Sequence, residues 1–280
     1  MTIPALALSS LESAKDSRAP LCVDLDGTLV RTNLLLEAFL VLLKTRPLAA
    51  LLFPLWLLRG RAYAKDQIAR RVSLDARLLP YNAELLAYLR EQRDLGRELI
   101  LATAAHRKFA KGVADHLGIF QQVLATDDET NLKGVRKLGE LRRYLNGRSF
   151  SYAGDAFADL PIWEQSSAAI LVNPPSLLWR KLRRRRVEIE RVFRNATSPL
   201  AAFVRATRPH QWTKNLLLFV PLFLAHKVSD ASLVAQAAAA FASFTLCAAG
   251  VYILNDLFDL EADRAHPSKR RRPLPLAIFR

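Results

Sequence analysis

Residues 231–254 run for 24 positions without a formal charge, in a chain where 41 Lys and Arg stand against 26 Asp and Glu. About 20 apolar residues suffice for a helix to cross a bilayer, so this run predicts a membrane helix and divides the 280-residue chain into two regimes. Upstream, residues 215–226 are apolar but shorter and contain Pro221. By length they are re-entrant; with Trp212 and its neighbours they make a thin crossing. The net charge of +15 is concentrated beside these stretches. Residues 177–194 hold Arg180, Lys181, Arg183, Arg184, Arg185, Arg186, Arg191 and Arg194 against Glu188 and Glu190, and the last 17 residues hold six basic groups and no acid. Neither cluster shows the aromatic interleaving that stacks bases, so an anionic membrane face is expected and nucleic acid is not. If both apolar segments cross, both clusters lie on one side of the inner membrane, the cytoplasmic one.

Composition narrows the rest. An apolar content of 51% excludes disorder for most of the chain. Cys22 and Cys247 are the only cysteines and both sit in apolar runs, which excludes a disulfide scaffold and reads as two buried thiols. Residues 1–19 form a polar leader without the basic start and apolar core of a secretory signal.

From residue 20 onward, short apolar runs at 21–25, 99–105, 123–126, 150–153 and 168–172 alternate with amphipathic stretches at 83–95, 108–117 and 135–145. That rhythm predicts an α/β fold, a parallel sheet with helices on both faces. Residues 34–43 and 48–58 interrupt it, strongly apolar and separated by Lys44-Thr45-Arg46-Pro47. Two readings stay open: a helical hairpin packed as a cap on the sheet, or a surface hairpin that dips into lipid. Neither half is long enough to span. The Arg-rich segment at 179–198 is expected to be a helix or basic linker, followed by a membrane region at 199–280.

Four polar groups end the predicted strands or open the helices. Asp24-Leu25-Asp26-Gly27-Thr28 follows the first strand, Thr103 ends the second, Lys133-Gly134 opens a helix, and Gly154-Asp155 with Asp159 follows a later strand. Open parallel sheets carry their sites at this C-terminal edge. Clustered carboxylates make a hard oxygen site suited to Mg²⁺. A hydroxyl and a lysine position and neutralise a phosphoryl group, and an ionised Asp can attack phosphorus.

This ordered set, across residues 20–178, resembles the haloacid dehalogenase superfamily, whose members are mostly Mg²⁺-dependent phosphohydrolases with a Rossmann-like domain. The resemblance implies that Asp24 is nucleophile and metal ligand. It implies that Asp26 is the general acid/base and lends its backbone carbonyl to the metal. Thr103 and Lys133 would hold phosphoryl oxygens, Asp155 would bind Mg²⁺, and Asp159 would support the metal shell. Residues of about 29–85 would form a helical cap that selects the phosphorylated substrate.

Past the apolar run, Asn255, Asp259 and Asp263 are four apart, with Asp256 adjacent, which places three of them on one helical face. Divalent metal bridging a diphosphate would offset their repulsion. With Gln211-Trp212-x-Lys214-Asn215 before the segment and Lys269-Arg270 after it, the pattern resembles the first Asp-rich motif of UbiA-type polyprenyltransferases, in the decaprenyl-phosphate phosphoribosyltransferase branch. That family implies Mg²⁺, polyprenyl phosphate and a bundle of about nine helices. This sequence holds about two of them, a truncated region that a partner subunit would have to complete. The combined expectation is a phosphohydrolase fused to a partial prenyltransferase, acting on a phosphorylated small molecule or a polyprenyl-linked phosphosugar. The rival is a catalytically silent module that anchors or regulates a transferase in membrane lipid.

Overall fold

The computed structural model describes residues 19–194, 204 and 206–266, in two compact units divided at Asn195. The leader expected over 1–19 lies, apart from Ala19, outside the described residues.

The first unit is built on a six-stranded parallel sheet, β1 (Leu21–Val23), β2 (Leu99–His106), β3 (Gln122–Thr126), β4 (Ser151–Gly154), β5 (Ala168–Val172) and β6 (Ile189–Phe193). The spatial order is β3-β2-β1-β4-β5-β6. β1 lies between β2 and β4, with Leu21 opposite both Leu99 and Ser151. Strands covered on both faces need apolar residues at every position, and β1 and β5 are buried throughout. Alternation sends Leu21 and Val23 into one core and Cys22 into the other, beside Ile100 and Tyr152.

On the first face pack α1 (Leu34–Thr45), α4 (Arg61–Arg71), α5 (Ala83–Asp94) and α6 (Arg107–Leu117). On the other pack α7 (Val135–Leu145), the short α8 (Leu160–Trp163) and α9 (Ser176–Arg184). Side-chain caps set the starts: Asn33 accepts from Leu36 N–H for α1 and Asn82 from Leu85 N–H for α5. Left-handed Gly118 and Asn146 end α6 and α7. The apolar hairpin is one long arm, α1, and a second arm broken into α2 (Pro47–Ala50) and α3 (Phe53–Leu58), each with a proline in its first turn.

The Arg-rich segment is not a linker. Its first part is α9, and Ile189–Phe193 joins the sheet beside β5, with Ile170 opposite Arg191 and Val172 opposite Phe193. Buried Arg97 holds β6 in place. Its guanidinium pairs with Glu190 at 2.8 Å and donates to Ser151 Oγ (2.7 Å) and to the Ala19 carbonyl (2.8 Å). Arg191 lies over the rings of Tyr88 and Phe193. The sheet domain therefore extends past residue 178.

In the second unit, residues 209–224 alternate 3₁₀ turns with two short helices, α10 (Trp212–Asn215) and α11 (Val220–Leu224). α12 (Ala231–Phe258) is one 28-residue helix, long and apolar enough to cross a membrane. Asp230 starts it by accepting from Ser232 and Leu233 N–H. The thiol of Cys22 is buried as expected, whereas Cys247 is exposed, because most of α12 is uncovered.

Candidate active site

The strand order reverses between β1 and β4, and open α/β sheets leave a crevice at such a point beyond the strand ends. Asp24 follows β1 and Asp155 follows β4, so the expected nucleophile and metal ligand meet there. Among the described residues, Asp24, Asp155 and Asp159 each bring a carboxylate oxygen within 4.8 Å of the others. Gly27 makes the approach feasible. Its φ is +79°, and a Cβ there would stand 2.3 Å from Asp155 Oδ2. Thr28 Oγ1 donates to Asp155 Oδ1 (3.2 Å).

Asp26 is placed differently from the other carboxylates. Its Oδ1 accepts from Leu34 N–H at 2.9 Å, where the positive end of α1 favours an acceptor. Burial nonetheless pushes its carboxyl up to about 7, and the Asp24 charge adds to this, while the Leu34 hydrogen bond opposes it. Burial also raises Asp24, to about 6, against the pull of Lys137. Thr103 does not end β2, which runs on to His106; it is fully buried and accepts from Ala105 N–H at 3.0 Å, where the pairing with β3 shifts register between Thr103 and His106.

The lysine beside the nucleophile is not the expected one. Lys133 is exposed at the rim. Lys137, one turn further on, is buried and pairs with Asp24 at 3.0 Å and Asp159 at 3.3 Å. It also donates to Tyr152 Oη (2.8 Å), whose hydroxyl donates to Asp159 Oδ1 (2.9 Å). Burial works to lower the Lys137 ammonium, but the charges on Asp159 and Asp24 outweigh it and hold the group above its ordinary value. The signal was present in the sequence: Lys137 shares the buried stripe of α7 with Leu138, Leu141 and Leu145, and a charge on a core stripe needs a partner.

Lys65 was missed as well. It reaches from α4 to the Ala104 carbonyl (2.5 Å) and Asn131 Oδ1 (2.7 Å). Burial lowers its ammonium to about 8, although the Asp26 charge opposes this. Lys108 Nζ, on α6, adds a second tie to α4, donating to the Ala69 and Val72 carbonyls at its end (2.7 and 2.9 Å).

Three carboxyl groups thus converge, two of them on the Lys137 ammonium, at the edge where such folds bind ligands. The sequence profile of haloacid dehalogenase-like hydrolases matches residues 21–164, the stretch that carries this geometry. The chain belongs to that family. Over 260 residues this haloacid dehalogenase-like hydrolase is 39% identical to an uncharacterised protein, y4nM, of Sinorhizobium fredii, covering 92% of this chain and 50% of that one. Its C-terminal part is homologous to decaprenyl-phosphate phosphoribosyltransferases. The protein of that name from Mycolicibacterium smegmatis is 41% identical over 83 residues, 28% of this chain and 26% of that protein. The chain therefore spans half or less of the curated relatives it matches. A solved structure of a Bordetella pertussis protein of unknown function shares the fold, with a TM-score of 0.50 at 17% identity over 63% of this chain and 98% of that chain.

The second unit places the remaining motif residues. Asn215 Nδ2 donates to Thr245 Oγ1 (2.9 Å), and Arg208 pairs with Asp256 at 2.5 Å. Lys214 is exposed. α12 ends at Phe258 and α13 (Leu260–Ala265) follows after Asp259. The i,i+4 hydrogen bonds run on through this break, Asp259 N–H donating to the Asn255 carbonyl (2.9 Å) and Asp263 N–H to the Asp259 carbonyl (2.7 Å), with Asn255 and Asp259 exposed and Asp263 buried. Lys269 and Arg270 lie outside the described residues.

Proposed function

We propose that the first unit is a Mg²⁺-dependent phosphohydrolase for phosphate monoesters, including lipid-borne ones such as a polyprenyl-linked phosphosugar. The observation that carries this reading is the convergence of Asp24, Asp155 and Asp159. Their hard oxygen donors outnumber the one buried ammonium among them, which fits a divalent cation. Asp24 and Asp155 would hold Mg²⁺ with the Asp26 backbone carbonyl, and Asp159 would support them. Bound there, the ion would supply charge neutralisation to the phosphoryl oxygens.

The chain's own groups do the rest. Asp24 attacks phosphorus, the new Oδ–P bond forming as the bond to the leaving oxygen breaks. Asp26, half-protonated near neutrality, gives its proton to that leaving oxygen. A water then attacks the aspartyl-phosphate and returns a proton to Asp26, releasing phosphate and regenerating Asp24. Lys137 holds Asp24 in line, while Thr103 and Lys133 face the phosphoryl oxygens from the β2 and α7 sides. The test uses the full chain in detergent with Mg²⁺ and a small aryl phosphate. Asp24→Asn should lower turnover by several orders of magnitude; equal rates would sink the assignment.

The C-terminal homology and α12 support an inner-membrane location, with the hydrolase domain and its basic residues 177–194 on the cytoplasmic side, where the basic cluster past α12 joins them if residues 209–224 also cross. It also supports polyprenyl phosphate as the chemistry at hand. A transferase centre around Asp256 would need further helices to exclude water from a diphosphate, supplied in the same polypeptide or by a partner subunit.

A further inference from the structure

The second arm of the cap hairpin carries a surface that the hydrolase chemistry does not use. Residues 47–58 contain no charged side chain. Ala50 and Trp56 turn inward, and Phe53 packs on Phe39 with ring centroids 4.7 Å apart. Six leucines face out instead: Leu48, Leu51 and Leu58 are 80%, 72% and 84% exposed, and Leu52, Leu55 and Leu57 are exposed too. A soluble surface scatters such residues among polar ones; contiguous apolar patches mark an occupant.

The charges around the patch choose that occupant. Residues 38–65 hold Lys44, Arg46, Arg59, Arg61 and Lys65 and no acid. Lys44 and Arg46 stand just before the apolar arm and Arg59 and Arg61 just after it, all four exposed. A second copy docking tip to tip would set four cations against four. An anionic lipid surface offers the opposite sign at the rim and hydrocarbon beneath, each Lys or Arg near it gaining about 1 kcal/mol. The arm is too short to span but suits shallow insertion beside the headgroups. The same chain carries α12, long and apolar enough to cross a membrane, and such a tether raises the local concentration of bilayer for the cap.

We propose that residues 47–58 insert into the headgroup–acyl boundary of an anionic leaflet, with Lys44, Arg46, Arg59 and Arg61 on the lipid phosphates. If the hydrolase reading holds, this deepens it: the cap sits at the depth where a lipid-borne phosphate lies. The insertion itself is read without turnover, so the two can fail separately.

The test reconstitutes the full chain in phosphatidylcholine vesicles with and without phosphatidylglycerol. A Cys247→Ala background leaves only buried Cys22, and a polarity-sensitive fluorophore is placed on Leu51→Cys or, as control, on Glu91→Cys of α5. The expected result is blue-shifted emission at position 51, quenched by lipid carrying a nitroxide high on its acyl chain, with no quenching at position 91. Lys44→Glu with Arg46→Glu should cut that quenching by about twofold or more. Equal emission and quenching at 51 and 91 in anionic vesicles would overturn the proposal. So would a blue shift at position 51 without quenching by the lipid-borne nitroxide, since a second copy or a protein partner would then cover the tip.

Discussion

Replacing Lys137 by methionine keeps the length of the side chain and removes the one ammonium lying between Asp24 and Asp159. The residue is 2% exposed, with ion-pair distances of 3.0 and 3.3 Å. At an effective dielectric of about 20, each pair attracts by about 5 kcal/mol. Desolvation of the three groups offsets much of this, and losing one partner of such a buried cluster costs about 3–5 kcal/mol. That is roughly two to three and a half orders of magnitude in the folding equilibrium. The loss should be smaller at acid pH, because protonating the stranded carboxyls relieves them. Urea unfolding of the full chain in detergent, followed by intrinsic fluorescence at pH 5 and pH 8, measures it. Lys137→Met with Asp159→Asn should recover part of the loss, since the double variant strands one carboxyl fewer. Lys133→Met, on an exposed side chain, should stay within about 0.5 kcal/mol of wild type. Equal destabilisation by the two methionine variants, or a Lys137→Met cost under about 1 kcal/mol, would refute the reasoning.

Two more outcomes follow from the same geometry. Burial holds Asp26 up at about 7, so its protonated form stabilises the fold, fully below about pH 4 and progressively less as pH rises through 7. Asp26→Asn should therefore melt higher than wild type at pH 8, with the gap closing near pH 4, and the alkaline limb of kcat/KM near pH 7 should vanish with it; a constant gap across that range contradicts the assignment. Gly27→Ala forces a side chain onto φ +79° and against Asp155, at a cost of about 1–3 kcal/mol. If Mg²⁺ binds as proposed, it should raise the Tm of the wild type and raise that of this variant less; an undiminished rise would mean that Asp155 does not hold the ion.

The elements legible in the sequence were those whose signal is local. An uninterrupted apolar run such as Ala168–Val172 has little alternative to a covered strand, and the amphipathic period of Val135–Leu145 marks its helix end to end. Asp24, Asp155 and Asp159 could be placed at one edge because each follows a strand. What stayed hidden depends on packing. β6 alternates Ile189, Arg191 and Phe193 with Glu190 and Val192, and its charges hide in a basic run until Arg97 and Tyr88 supply partners. Choosing Lys137 over Lys133 requires the rotation of α7 about its axis, which the opening Lys133-Gly134 does not reveal. Lys65 acts across the gap between α4 and the sheet edge, a contact between residues 66 positions apart in the case of Asn131.

β6 also bears on how the chain emerges during synthesis. β5, wholly apolar, keeps one edge unpaired until residues 189–193 leave the ribosome. An exposed apolar edge is a template for strand addition by other chains. The interval is short in sequence, yet the segment that ends it carries the basic run leading toward the membrane part. Completion of the sheet and arrival of the first membrane-bound residues are thus nearly simultaneous events. A fragment ending at 178 would hold that edge open permanently; it should scatter light and associate where one ending at 194 stays monomeric, and equal behaviour of the two would show that α9 and the strand it leads into are dispensable for solubility.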